Sequence, residues 1–216
     1  WNIGLFESII FNRNRGFELQ YLNPVIFYRA IEQAVGSPDN VLLALQSHFN
    51  FFKSFTLYSQ LLIDEFVFKR IISSNQGWWG NKNGFQLGIK YPEVAGLPNL
   101  NAQLEYNSVR PYTYSYSDSL GSYSHYNQSI AHPLGSNFNE IISTISYQLG
   151  KKVYLELTMM NYSKGLDIDT LNYGGNILLP NITRVSDFNN TITQGQKIRV
   201  NQLQWKVSYE FLHRTW

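Results

Sequence analysis

Val41-Leu-Leu-Ala-Leu-Gln-Ser-His-Phe-Asn-Phe-Phe52 and, across Lys53, Ser54-Phe-Thr-Leu-Tyr-Ser-Gln-Leu-Leu-Ile-Asp-Glu-Phe66 are the stretches on which the fold turns. In the first, Val41, Leu43, Leu45, Phe49 and Phe51 share one parity, opposite Gln46, His48 and Asn50. In the second, Phe55, Leu57, Leu61 and Ile63 oppose Thr56, Gln60 and Asp64. Side chains on a strand alternate between faces, so each stretch reads as a strand with one apolar and one wet face. Two environments produce such strands: a soluble sandwich, or a barrel with lipid outside and water inside.

Strand length and loop placement favour the barrel. The alternation recurs at 2–11, 41–52, 54–66, 84–92, 99–109, 137–149, 152–163 and 199–212, eight strands in all. Most are longer than the five or six residues common in soluble sheets and match the roughly 9–11 needed to cross a bilayer at a tilt. Outward faces read Phe85, Leu87, Ile89, Tyr91, then Leu100, Ala102, Leu104, Tyr106. Ile141, Ile145, Tyr147, Leu149, then Val153, Leu155, Leu157, Met159, and last Leu203, Trp205, Val207, Tyr209, Phe211 continue the series. The first strand is less regular, because Glu7 interrupts Ile3, Leu5, Ile9 and Phe11.

Connections at 53, 92–98 and 150–151 are short, whereas 12–40, 67–83, 110–136 and 164–198 are long and rich in Gly, Asn, Ser and Tyr. That alternation is the pattern of an outer-membrane barrel with short periplasmic turns and long extracellular loops. The first long connection also carries Ile26, Ala30, Ile31 and Ala34 at helical spacing, followed by Gly36-Ser37-Pro38-Asp39, which predicts one short helix near 25–35.

Composition agrees. Charged residues are 15% of the chain and aromatics 16%, with fifteen Tyr and five Trp. The charge deficit is filled by Asn, Gln, Ser and Thr, which suits an apolar band, aromatic girdles and an uncharged polar lumen. A net charge of +2 without a basic run provides no electrostatic footprint for nucleic acid. Cysteine is absent, which removes disulfides and thiolate metal sites. No run approaches the roughly 18 apolar residues of a membrane helix. The chain starts at Trp1 without Met or signal peptide, as a processed or excerpted chain would.

The loop richest in candidate chemistry is 110–128. It sets Arg110, Tyr112, Tyr114, Tyr116, Tyr123 and Tyr126 among small polar residues. Rigid amphipathic rings in such a setting bind polar ligands, and sugars offer apolar ring faces beside hydroxyls. The same tyrosines could instead pack on one another and close the loop over the barrel mouth. His48, His125, His132 and His213 have no spacing for a metal, and Asp167-Ile-Asp169 lacks the Gly and Glu of a calcium loop. Glu105, Glu140, Glu156, Glu210 and Asp64 fall on the wet face, where Lys90 and Lys206 can pair with them. They are spread over separate strands, unlike the paired carboxylates of a glycoside hydrolase. No catalytic residues and no cofactor are expected.

Gly4-Leu-Phe-Glu-Ser8 with Tyr21-Leu-Asn-Pro24, and Tyr126-Asn-Gln with Ala131-His-Pro-Leu-Gly135-Ser-Asn-Phe138, resemble the Wzi-type capsule assembly family of outer-membrane proteins. The likeness is in particular to its Bacteroidetes branch, which includes the RemB-like gliding-motility proteins. It implies a bacterial outer-membrane barrel that binds surface polysaccharide at its extracellular face without catalysis. Family barrels have about eighteen strands, so the eight strands here imply the C-terminal portion of a larger barrel, or one completed by other segments.

The expectation is therefore a single, partial outer-membrane domain over 1–216: all-β, an antiparallel transmembrane β-barrel or a portion of one. Its expected partners are the outer-membrane bilayer, surface (capsular) polysaccharide and other outer-membrane proteins, with adhesion or gliding as a variant role. A porin-like transport module and a structural subunit of a larger outer-membrane complex are the alternatives.

Overall fold

The computed structural model describes residues 1–12, 19–22, 39–52, 54–65 and 77–211, together with positions 28, 30 and 36. Five strands come first: β1 (Asn2–Ile10), β2 (Asn40–Phe51), β3 (Phe55–Glu65), β4 (Lys82–Tyr91) and β5 (Leu100–Val109). Two short ones follow, β6 (Ser124–His125) and β7 (Gln128–Ser129), then β8 (Phe138–Leu149), β9 (Val153–Leu166) and β10 (Gln196–Tyr209). The eight long strands begin and end within three residues of the boundaries legible in the sequence. Helical structure among the described residues is short. It includes 3-10 turns at Leu19–Leu22, Val94–Gly96, Ser119–Gly121 and Asn181–Thr183. None of it is long and apolar enough to cross a membrane. The helix expected over 25–35 lies, apart from Tyr28 and Ala30, outside the described residues.

The long strands form one antiparallel sheet in the order β1-β2-β3-β4-β5-β8-β9-β10, each paired with the next in the chain. The result is a meander. The sheet is open, with β1 and β10 as its two edges. All-β and antiparallel, as the periodicity predicts, the described chain does not close into a ring by itself.

Register assigns the two faces. Residues directly opposite across an antiparallel pair share a face. Phe49, Leu57, Ile89, Leu104, Ser143, Met159 and Leu203 thus form one cross-sheet row. The next row toward the short turns runs Phe51, Phe55, Tyr91, Ala102, Ile145, Leu157 and Trp205. Among the described residues no second layer covers these outward side chains, and Leu104, Ile145, Leu203 and Trp205 are all exposed. A sandwich would have buried them. At the short-turn end their aromatics cluster, with ring centroids 5.9 Å apart for Phe49–Phe51, 5.3 Å for Phe51–Phe55 and 4.3 Å for Phe55–Tyr91.

The other face is not uniformly wet, and here the structure departs from the sequence reading. Toward the long loops it carries Leu42, Ala44, Leu62, Val109 and Phe138, buried beneath Tyr114 and Ile177. Loops folded back onto the sheet need an apolar floor, since burying their polar backbone over a wet surface would bring no compensating hydrophobic gain. Nearer the short turns the face becomes polar. Tyr58 donates to Glu105 at 2.5 Å, Gln103 donates to the Tyr58 hydroxyl at 2.8 Å, and Asn107 bridges Glu105 and Glu140 at 2.8 and 3.0 Å.

Candidate functional site

The described parts of the long loops lie at one end of the sheet, and the six candidate residues separate there by burial. Arg110 leaves β5 and turns into the loops. Its Nε donates to the Asn81 carbonyl at 2.8 Å and its terminal nitrogen to the Asn190 carbonyl at 3.4 Å. Burial lowers the pKa of the guanidinium from its ordinary value. Tyr112 is 1% and Tyr114 3% exposed. The Tyr112 hydroxyl donates to the Asn172 carbonyl at 2.9 Å, and its ring stands edge-on to Trp79. Tyr114 joins the core and stacks on Tyr123 with centroids 6.1 Å apart. Neither Tyr112 nor Tyr114 turns a free ring face outward. Burial raises the Tyr112 phenol to about 12 and pushes Tyr114 higher, the charge of Asp64 adding to the burial there.

Tyr112 and Tyr114 have φ of 64° and 74°, a region that bulky residues rarely adopt. The surrounding bonds hold them in it: Tyr112 N–H donates to the Gly174 carbonyl at 3.2 Å, and Tyr114 N–H to the Asp64 carboxylate at 2.6 Å. Tyr116 and Tyr123 are half-buried. The Tyr116 carbonyl accepts from Asn181 N–H at 2.8 Å, and Tyr123 N–H donates to the Tyr114 carbonyl at 2.8 Å. Only Tyr126 is open, at 88% exposure. It sits with Asn127 between β6 and β7, both at positive φ (48° and 60°), the geometry preferred by two-residue hairpin loops. Tyrosine is an unusual choice there. The position holds an exposed ring at the tip, against His125 at 4.4 Å.

Beside that hairpin lies a cleft of about 710 Å³, which the sequence did not reveal. Asn127 and Gln128 form one rim, Pro133 and Ile177 supply apolar wall, and Lys164 and Asp167 bring opposite charges. Lys164 comes from the loop-side end of β9, and its ammonium donates to the Leu134 carbonyl. The Asp167 carboxylate organises the next loop, accepting from the N–H groups of Tyr173 (2.6 Å), Gly175 (3.3 Å) and Asn176 (2.9 Å). It is a loop-building carboxylate in a cleft of a size that holds small ligands. Lys164 and Asp167 are over thirty residues from Asn127 in the chain, so no local pattern pointed to their meeting the hairpin.

Loops 77–81 and 172–190 are tied by a cation–aromatic contact. The Arg184 guanidinium lies 4.1 Å from the Trp79 ring centre and the Lys82 ammonium 5.4 Å from it. Among the described residues no group of three or more His, Cys, Asp or Glu is arranged to hold a metal ion. Comparison with family models, with curated proteins and with solved structures returned no match.

Proposed function

We propose that this sheet is part of the wall of a bacterial outer-membrane barrel of the Wzi-type capsule assembly family, non-enzymatic, whose outer loops bind surface polysaccharide. The observation that carries the membrane half is the course of the apolar band. Counting exposed residues, its loop-side edge is Leu43 on β2, where Val41 one step further is buried, but Leu203 on β10, and Leu203 is in register with Phe49, six residues further along β2 than Leu43. Its turn-side edge moves four residues the same way, from Phe51, in register with Trp205, to Tyr209. Six strand steps separate β2 from β10. With rises of about 3.3 Å per residue and spacings of about 4.8 Å per strand, the band slopes roughly 25–35°. A level hydrocarbon layer crossed by tilted strands produces such a slope, and the tilt of outer-membrane barrels is about 35–45°. In lipid neither sheet edge can stay unpaired, so further strands would hydrogen-bond to β1 and β10.

The polysaccharide half rests on the loop end. A 710 Å³ cleft of amides, apolar walls and two charges, beside an exposed tyrosine, has the surface chemistry of a sugar site. The loops pack on the loop-side end of the sheet through Tyr114 and Ile177, which favours a covered face over the open conduit of a porin.

The test is expression of the protein with an epitope inserted at 119–120, followed by membrane fractionation, antibody labelling of intact cells and retention of extracted capsular glycan. Outer-membrane recovery with surface labelling and glycan retention is expected. Recovery in a soluble fraction overturns the membrane half, and surface display without retention overturns the glycan half.

A further inference from the structure

The outward face is not apolar to its upper limit. On β5, β8, β9 and β10 the band stops at Tyr106, Ile141, Met159 and Leu203. Immediately on the loop side lies a polar wedge that widens toward β10. Ser108, Asn139, Ser163 and Arg199 form one row of it, and Asn161 and Asn201 belong to the row below. A groove of about 250 Å³ crosses the wedge, lined by Tyr106, Asn139, Asn161, Ser163, Arg199 and Asn201 among others. The Tyr106 and Ser108 hydroxyls both donate to the Asn139 amide oxygen, at 3.1 and 2.7 Å. That fixes the Asn139 amide and leaves its N–H groups as donors.

The charge is one-sided. By register, Lys197 and Arg199 are the two cations on the outward face of these four strands, and no carboxylate shares it; Glu140 also borders the groove, but its carboxylate is buried on the opposite face with His132 and Asn107. Both are exposed, and among the described residues neither is held by an ion pair. A planar guanidinium with neutral amide and hydroxyl donors in one groove, and an ammonium one row further toward the loops on the same face, are the recognition chemistry of phosphate.

We propose that this groove binds the phosphate of a lipid headgroup in the outer leaflet, with Arg199 and Lys197 as the charged contacts and Asn139, Asn161 and Asn201 as neutral donors. The inference rests on the membrane reading above, because that reading puts the wedge at headgroup depth. The height matters. Cations placed directly beyond the edge of an apolar band meet the headgroup layer, whereas a free anion would select no particular level. Charge complementarity commits the groove to an anionic lipid rather than to a protein edge or a neutral sugar.

The test reconstitutes the wild-type protein and the Lys197→Gln/Arg199→Gln variant in vesicles of phosphatidylethanolamine carrying either phosphorylated or dephosphorylated lipid A. Flotation and protease protection report insertion; native mass spectrometry after mild extraction reports retained lipid. We expect both proteins to insert equally and the wild type to retain the phosphorylated lipid about tenfold better, as for one charge-assisted contact. The variant should lose that preference. Equal retention of the two lipids by an inserted wild type, or unchanged preference in the inserted variant, overturns the phosphate site and leaves the membrane reading standing. Displacement of the lipid by millimolar inorganic phosphate overturns the lipid assignment. Failure of the wild type to insert overturns the membrane reading and this inference with it.

Discussion

His132 Nε2 lies 3.0 Å from Glu140 Oε2, joining the long loop 110–137 to the loop-covered face of β8 where the carboxylate side chain is 1% exposed. Asn107 donates to the same oxygen at 3.0 Å, and the His132 ring tilts over Phe138 at 4.5 Å. A buried carboxylate that loses one of its donors keeps its desolvation cost. His132→Ala should therefore loosen the loop by about 1–3 kcal/mol while the strands persist. Limited proteolysis mapped by mass spectrometry checks this: new cuts confined to 117–134, with 138–166 protected, are expected.

The buried tyrosines predict an alkaline limit. Tyr112 is raised from 10.0 to about 12 by burial, and Tyr114 is raised further by burial and Asp64. In the unfolded chain both ionise near pH 10, so above that pH the unfolded state binds fewer protons than the folded one and stability falls as pH rises. The contribution is whole below pH 10 and is lost as pH climbs through the folded values. Tryptophan emission, with Trp79 beside Tyr112, should change between pH 10 and 12, and Tyr112→Phe should reduce that change.

Gly165 is where loop 190–195 meets β9. A Cβ there would collide with the Gln194 backbone carbonyl and the Asn137 amide, which itself donates to the carbonyls of Gly165 (3.1 Å) and Gln194 (2.9 Å). Gly165→Ala should cost about 1–3 kcal/mol through overpacking. Chemical denaturation, compared with Gly150→Ala at an open turn position, measures the difference. Gly150 meets no neighbour within 4 Å, although its φ of 62° adds some strain of its own.

Depth along the band separates lipid contact from ordinary exposure. Ile145 sits mid-band and Leu149 at the turn-side edge of β8. On the membrane reading, arginine at 145 should cost about 2–4 kcal/mol and arginine at 149 only about 0–1. Refolding into vesicles measures both. Equal small costs would argue that the face meets water.

The hairpin tip and the core tyrosine should behave oppositely. On the proposed glycan reading, Tyr126→Ala removes an exposed ring and should weaken glycan retention about three- to tenfold at normal abundance, the loss expected for one aromatic contact. Tyr114→Ala empties a core position and should reduce abundance, at a cost of about 3–5 kcal/mol. Surface labelling alongside glycan retention distinguishes the two.

Strand positions, their antiparallel succession and the outward apolar face were legible in the sequence, because period-two alternation is local and each stretch such as Val41–Phe51 carries its own record. No local pattern places Leu42, Ala44 and Leu62 in a core, since burial on the second face depends on loops that return from far along the chain. For the same reason the composition of 110–128 marked its tyrosines as candidates without sorting them. Only the packing against Asp64, Asn172 and Gly174 buried Tyr112 and Tyr114 and left Tyr126 outside. The cleft at Lys164 and Asp167, the groove at Arg199 and the slope of the band belong wholly to tertiary structure. Each is made by cross-strand register or by loops meeting, and neither is encoded in the order of neighbouring residues.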